Sequence, residues 1–388
     1  MRQGTMDRSA LPPIASVSFF LPSFAGGGAE RAAIHVAAAL LELGVDAEVV
    51  VPTTNGPLLP FANERMTRDR IVDLGSRRVR YSVPALARYL RHRKPDVLVA
   101  EPDDTVFFAE LARTVAGTRA TMLVSVIQNT LTRQTNALGP KRWLVAPAIR
   151  WVLGRADVVV CVSEGVRDDL LASVHRGINP VVIPNPVDVL HVREASAEPA
   201  PHPWLSGGAP TIVAAGRLTR QKNFDLLVRA FRILADGNRA ARMLILGDGE
   251  LRPELEALVT ELGLSERVAL PGFADNPWAY MARADAYAMS SRFEGMPLAL
   301  IEALACGVPV VSTDCPSGPA EILEHGRLGT LVPAGDAEAL AAGLQQALSD
   351  RRPPVDLEYL AARYAPRQVA RRFQEAIAEA RDRLPEQG

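Results

Sequence analysis

The chain has 388 residues, of which 48% are hydrophobic and 22% charged, with a formal net charge of −1. That length exceeds one comfortable hydrophobic core and makes two domains the natural division. Balanced charge and 5% aromatic residues exclude bulk electrostatic or stacking-based capture of nucleic acid, and no run reaches the ~18 uninterrupted apolar residues of a membrane span.

The three cysteines, Cys161, Cys306 and Cys315, lack metal-ligand spacing and leave an odd thiol. This points to a reducing, cytoplasmic setting rather than a disulfide framework. Residues 14–25 are apolar but are broken by Pro22 and run into glycines, so they read as a first core strand rather than a secretory signal.

From there strand-like and helical patterns alternate. Strand 14–21 is followed by helix 30–43, strand 47–51, helix 84–93, strand 97–100, helix 107–115 and strands 122–127 and 158–162. This alternation builds a parallel sheet covered by helices. Residues 194–210 break it with four prolines and no periodicity, and read as a linker. A second series follows: strand 211–215, helix 224–235, strand 242–246, helix 252–262, strand 268–270 and the unit 291–311. The expected fold class is therefore α/β, with two Rossmann-like domains facing across a cleft. The first covers residues 1–195 and the second 205–366. A separate Arg-rich helix covers 367–383.

The segment 291–311 carries the most chemistry. Glu294 precedes Gly295 on a turn, Pro297 opens a helix, and Gly307 stops it before a buried strand. Glu302 falls about one and a half turns into that helix. The free amides of Leu298 and Ala299 and the helix dipole make its tip an anion site. The residues alone indicate a phosphate or sugar site at a strand–turn–helix, or an ordinary buried unit with two incidental glutamates. After strand 211–215 come Gly216-Arg217 and Lys222-Asn223, at the strand end where ligands gather in open parallel sheets. Two fixed cations suit a diphosphate. Lysine is scarce here (Lys94, Lys141 and Lys222), which suggests that a compact ammonium is wanted at 222. In the first domain Gly26-Gly27-Gly28 follow the first strand and allow a close backbone approach. The second strand ends at Val51-Pro52-Thr53 with no acidic residue, which argues against a dinucleotide site.

The E-x7-E pattern of Glu294 and Glu302 within GMPLALIEALACGVPVV, together with GR-x4-KN at 216–223, resembles the donor-site signature of retaining glycosyltransferases of family 4, which have the GT-B fold. The resemblance spans roughly residues 14–380 and is most specific over 216–322. It implies transfer of a hexose or N-acetylhexosamine, with UDP as the expected nucleotide, to a saccharide or lipid-linked acceptor in polysaccharide biosynthesis. By this resemblance Arg217 and Lys222 hold the diphosphate and Glu294 bonds the donor sugar. Glu302 binds the ribose, and the backbone of Gly295, Met296, Pro297 and Leu298 approaches the phosphates. Gly249 and Phe273 flank the nucleotide, and Gly27 and Gly28 lie between donor and acceptor. The C-terminal helix is implied to pack back on the first domain. Many relatives carry a histidine after a central first-domain strand; here that stretch reads Gln128-Asn129, which become candidate sugar or acceptor contacts. Ser163-Glu164-Gly165 and Asn185-Pro186-Val187-Asp188 match family elements with either a structural or a chemical role. The second domain has no Asp-x-Asp motif between its strands, so no metal and no cofactor beyond the sugar nucleotide are expected. The alternatives are a UDP-sugar epimerase on the same fold and a two-lobed protein that binds a sugar nucleotide without chemistry. Residues 141–155, KRWLVAPAIRWVLGR, interleave cations with Trp143 and Trp151, as a peripheral membrane contact would, or a core helix.

Overall fold

A computed structural model describes residues 14–101, 103–132, 149–173, 178–349 and 353–383. The chain forms two compact units. Unit 1 holds residues 1–162, 170–186 and 366–388; unit 2 holds 163–169 and 187–365.

Among the described residues, unit 1 is built on seven parallel strands: β1 (Ser16–Phe20), β2 (Asp46–Val51), β3 (Ile71–Asp73), β4 (Val97–Ala100), β5 (Met122–Ile127), β6 (Val158–Cys161) and β7 (Val181–Val182), in the order β3-β2-β1-β4-β5-β6-β7. Unit 2 has six: β8 (Thr211–Ala215), β9 (Arg242–Leu246), β10 (Val268–Gly272), β11 (Ala286–Met289), β12 (Val310–Asp314) and β13 (Thr330–Pro333), in the order β10-β9-β8-β11-β12-β13. Both sheets carry helices on their faces, so central strands such as Val97–Ala100 are buried at every residue and read as continuous apolar runs. The strands that sequence periodicity missed, β3, β7 and β13, are two to four residues long and stand at sheet edges, where pairing with one neighbour leaves little pattern.

Carboxylates lock the amino edges of both sheets. Asp96, just before β4, accepts from the amides of Ala15 and Ser16 at 2.8 and 3.0 Å through Oδ2. Asp285, just before β11, accepts from the Thr211 amide at 2.8 Å. In each unit this ties together the two strands at which the strand order reverses, β1 with β4 and β8 with β11. The opposite, carboxyl edges are thereby left to the loops that follow the strands, and ligands bind at such reversal points.

The core of unit 1 includes Phe20, Leu86, Leu90, Leu98 and Leu123; that of unit 2 includes Ile212, Leu227, Phe231, Ile245 and Leu340. Residues 194–210, linker-like in composition, belong to unit 2. There Arg283 donates to the Ser196 and Ala197 carbonyls at 3.0 Å each, and Asn276 Nδ2 donates to the Ala195 carbonyl at 2.8 Å. Helix Pro366–Arg381 belongs to unit 1. It buries Val369, Ala370, Phe373 and Ile377 and packs on helix Gly28–Glu42.

Candidate functional site

Because every strand of unit 2 runs parallel, all the loops that follow strands emerge at one edge. The loop after β8 carries Arg217 and Lys222. That after β9 carries Gly247–Gly249, that after β10 Phe273, and that after β11 Glu294–Pro297. Backbone contacts fix these loops to one another. The Leu218 amide donates to the Asp248 carbonyl at 2.9 Å, and the Gly247 amide to the Gly272 carbonyl at 2.7 Å. A Cβ on Gly247 would stand 2.1 Å from the Gly216 carbonyl oxygen, and one on Gly249 would stand 2.5 Å from that of Leu218. The glycine at 249 is thus demanded by loop packing, whatever ligand lies nearby.

The centre of this edge is an ion pair across the strand-order reversal. Lys222 Nζ lies 2.6 Å from Glu294 Oε1. The same oxygen accepts from Ser291 Oγ at 2.6 Å, and Gln221 Nε2 reaches Glu294 Oε2 at 3.3 Å. The β11 loop is bolted to the β8 loop by three further bonds: Ser290 Oγ to the Lys222 carbonyl at 2.9 Å, the Arg292 amide to the Gln221 carbonyl at 2.8 Å, and Gln221 Nε2 to the Phe293 carbonyl at 3.1 Å. From the far side the Glu294 amide donates to the Pro316 carbonyl at 3.2 Å. Gly318, at φ 89°, leaves no room for a Cβ, which would meet Pro297 Cδ at 2.6 Å. Glu294 is therefore nearly buried and held in one orientation.

Pro297 is the cap residue rather than the first helical one: its ψ is 99°, and the helix runs Leu298–Cys306. Its first amides have no intrahelical acceptor, as at any helix start. Gly307, at φ 78°, ends it as the sequence indicates, and Arg193 Nη1 covers the Cys306 carbonyl at 2.9 Å. Glu302 is the fifth residue of this helix and is half-buried. Burial raises the Cys306 thiol to about 12, and the Glu302 charge adds to it; burial and the same charge also hold Tyr287 above the usual phenol range. Arg217 is exposed, and Phe273, next to Gly272 at φ 93°, is 76% exposed, an open apolar ring at the site's edge.

The structure thus joins Lys222 to Glu294 directly and sets Arg217, Gly249, Phe273, Glu302 and the Gly295–Leu298 backbone on the same edge of unit 2. Gly27, Gly28, Gln128 and Asn129 lie on the carboxyl edge of unit 1. Gly27 caps helix Gly28–Glu42, and a Cβ there would meet the Glu30 carboxylate at 1.9 Å. Gln128 is buried and bonded to Glu101 and Asn185, while Asn129 is half-buried. Sequence reasoning missed Ser291, Gln221 and Glu101. Ser291 and Gln221 neighbour the residues it chose, and Glu101 directly follows the apolar run 97–100, at a position where a carboxylate ends a buried strand. At Ser163-Glu164-Gly165 the Glu321 carboxylate accepts from the Glu164 and Gly165 amides at 2.8 Å each, and Ser163 Oγ accepts from the Val166 amide at 3.3 Å.

Two family profiles match, Glycosyltransferase Family 4 over residues 26–190 and Glycosyl transferases group 1 over residues 202–364. The chain belongs to glycosyltransferase family 4. A 35% identity over 200 residues links this family 4 chain to the N-acetylgalactosamine-N,N'-diacetylbacillosaminyl-diphospho-undecaprenol 4-alpha-N-acetylgalactosaminyltransferase of Campylobacter jejuni, covering 50% of this chain and 52% of that protein. It is 28% identical over 338 residues to the lipopolysaccharide core biosynthesis glycosyltransferase LpsE of Rhizobium meliloti, covering 84% and 86%. The chain spans about half of the Campylobacter protein and 60% of an uncharacterized glycosyltransferase of Methanocaldococcus jannaschii. HepE of Anabaena, solved in complex with UDP, matches with a TM-score of 0.76 at 19% identity over 94% of this chain and 100% of that one. At that identity the likeness shows the fold: two Rossmann-like domains of the GT-B type.

Proposed function

We propose that this family 4 protein is a retaining, metal-independent glycosyltransferase. It moves a hexose or N-acetylhexosamine from a UDP sugar to a hydroxyl of a saccharide or lipid-linked acceptor, at the cytoplasmic face of a membrane. The observation that carries this reading is the Lys222–Glu294 pair at 2.6 Å on the reversal point of unit 2, ahead of a helix N-terminus. A diphosphate at the helix tip meets free amides and the Lys222 and Arg217 cations, while Glu294 accepts from a sugar hydroxyl. The bond from sugar C1 to the phosphate oxygen breaks and the diphosphate carries off the electron pair. The acceptor oxygen then bonds C1 on the same face, and its proton passes to the departing phosphate. The protein's share is orientation and stabilisation of leaving-group charge. The relatives support the reading: HepE is solved with UDP, the Campylobacter protein is named for a diphospho-undecaprenol substrate, and LpsE for lipopolysaccharide core biosynthesis.

Calorimetric titration separates the two glutamates. Glu302→Gln is expected to weaken UDP itself by about tenfold, the worth of one hydrogen bond to a charged group. Glu294→Gln is expected to spare UDP and lower sugar transfer. Equal UDP affinity of wild type and Glu302→Gln would remove the ribose role. Transfer unchanged after EDTA treatment is the expected result for metal independence.

A membrane contact is supported by one surface of unit 1. Phe107, Leu111 and Val115 are exposed at a spacing of four residues on helix Asp103–Ala116, and Trp151 lies beside them, its ring 6.0 Å from that of Phe107. Arg155 sits 4.8 Å over Trp151, and Arg150 is exposed. Val152 and Leu153, which the sequence pattern counted with the interface, are instead core residues at 3% exposure, because the helix turns them inward. Lys141, Trp143, Leu144 and Val145 lie outside the described residues. Among the described residues no helix is long and apolar enough to cross a membrane. Co-sedimentation with phosphatidylglycerol vesicles at low salt is expected to fall severalfold in Leu111→Ser/Trp151→Ser; unchanged binding would refute this surface.

A further inference from the structure

The strand order of unit 1 reverses between β1 and β4, as that of unit 2 does between β8 and β11. The residue that follows β4 is Glu101, in the place that the loop bearing Glu294 takes after β11. Its amide donates to the Phe20 carbonyl at the end of β1, at 3.4 Å, so it stands on the reversal point itself. It is 3% exposed. Gln128 Nε2, after β5, donates to Glu101 Oε2 at 3.0 Å and reaches Asn185 Oδ1 at 3.2 Å, while Asn185 Nδ2 donates back to Gln128 Oε1 at 2.7 Å. Three buried side chains from three loops thus form one network on the edge where ligands bind.

The two carboxyl groups have opposite surroundings. Glu294 has an ammonium, a hydroxyl and an amide. Glu101 has an amide alone: among the described residues its Oε1 has no hydrogen-bond partner. The charge that acts on it is that of Glu30, in the first turn of helix Gly28–Glu42, which repels. Burial, with Glu30 adding, pushes the Glu101 carboxyl up to about 8. At neutral pH it is a carboxylic acid, both donor and acceptor. Thr130, two residues past Gln128, is 4% exposed, and its Oγ1 has no partner among the described residues. Buried groups left in this state cost stability unless something completes them. A phosphate would meet two acidic side chains. An uncharged hydroxyl, which also both donates and accepts, matches the site.

We propose that Glu101, supported by Gln128 and Asn185, is the site at which unit 1 takes the acceptor, and that it selects an uncharged sugar hydroxyl over a phosphorylated one. This rests on the transferase reading above. The test is binding of methyl β-galactoside and methyl N-acetyl-β-glucosaminide, by saturation-transfer NMR with UDP present, to wild type, Glu101→Gln and Glu101→Ala. Galactose 1-phosphate serves as counter-probe, and UDP affinity is measured separately.

The expected result is glycoside binding to wild type, retained within about threefold in Glu101→Gln and weakened about tenfold in Glu101→Ala, with UDP affinity unchanged throughout and no competition from the sugar phosphate. If Glu101→Ala fails to fold, Asn185→Ala takes its place, and is expected to weaken the glycosides at least about threefold. Glycosides that do not bind wild type, that bind the alanine variant as well, or that yield to the sugar phosphate overturn the proposal. So does an alanine variant that loses UDP in parallel. Wild type that binds glycosides without UDP affinity sinks the transferase reading instead, leaving the site itself standing.

Discussion

Lys222→Ala is expected to lower kcat/KM for sugar transfer by about 10²–10³, or ~3–4 kcal/mol, the cost of removing one fixed charge from a leaving group that gains charge as its bond breaks. The structure adds a second consequence that sequence reasoning did not foresee. A surface cation could be removed with little effect on the fold. Lys222 instead has a side chain only 22% exposed and pairs with a Glu294 side chain that is 7% exposed. Without the ammonium, Glu294 keeps Ser291 and Gln221 as donors but loses its counter-charge. That is expected to cost about 1–3 kcal/mol of stability. The double variant Lys222→Met/Glu294→Gln separates the effects: with both charges gone, stability recovers while turnover does not. Near-normal turnover of Lys222→Ala at saturating donor would show that the lysine serves only Glu294.

The layered architecture was legible because both sheets are parallel and doubly covered. Runs such as 97–100 and 243–246 are apolar on both faces, and the helices between them carry a 3.6-residue period. The stop at Gly307 was legible for a local reason, since only a residue free of Cβ strain ends a helix there at φ 78°. What sequence could not supply was pairing across the strand-order reversal. Lys222 and Glu294 are 72 positions apart, and only the adjacency of β8 and β11 places them at 2.6 Å. Glu101, Gln128 and Asn185 come from three loops in the same way. Their chemistry depends on the lack, among the described residues, of a cation bonded to Glu101, and no linear pattern records that. Residues 194–210 misled for the converse reason: proline-rich composition marks irregular backbone, and irregular backbone can still be pinned to a core by Arg283 and Asn276.

Glu101→Gln is expected to be more stable than wild type at pH 8.5 and nearly equal to it at pH 5. The sign follows from where each state holds its proton. In the unfolded chain this carboxyl releases its proton near its ordinary value of 4.5; in the folded protein burial holds the proton up to about 8. Between those values the folded state binds more protons than the unfolded one, so stability falls as pH rises through the window and levels off above it. Each unit of that window is worth at most ~1.4 kcal/mol, and the glutamine variant, having no proton to lose, escapes the whole loss. The stability difference between the two proteins should therefore open by about 2–4 kcal/mol from pH 5 to pH 8.5. Groups shifted the other way, such as Asp46, which the Arg93 hydrogen bond holds below the usual carboxylate range, titrate alike in both proteins and cancel. Urea unfolding of both proteins across that range measures the difference. A gap that stays constant with pH would mean that Glu101 is ionised in the folded protein, and that the hydroxyl-donating acid inferred for unit 1 is absent.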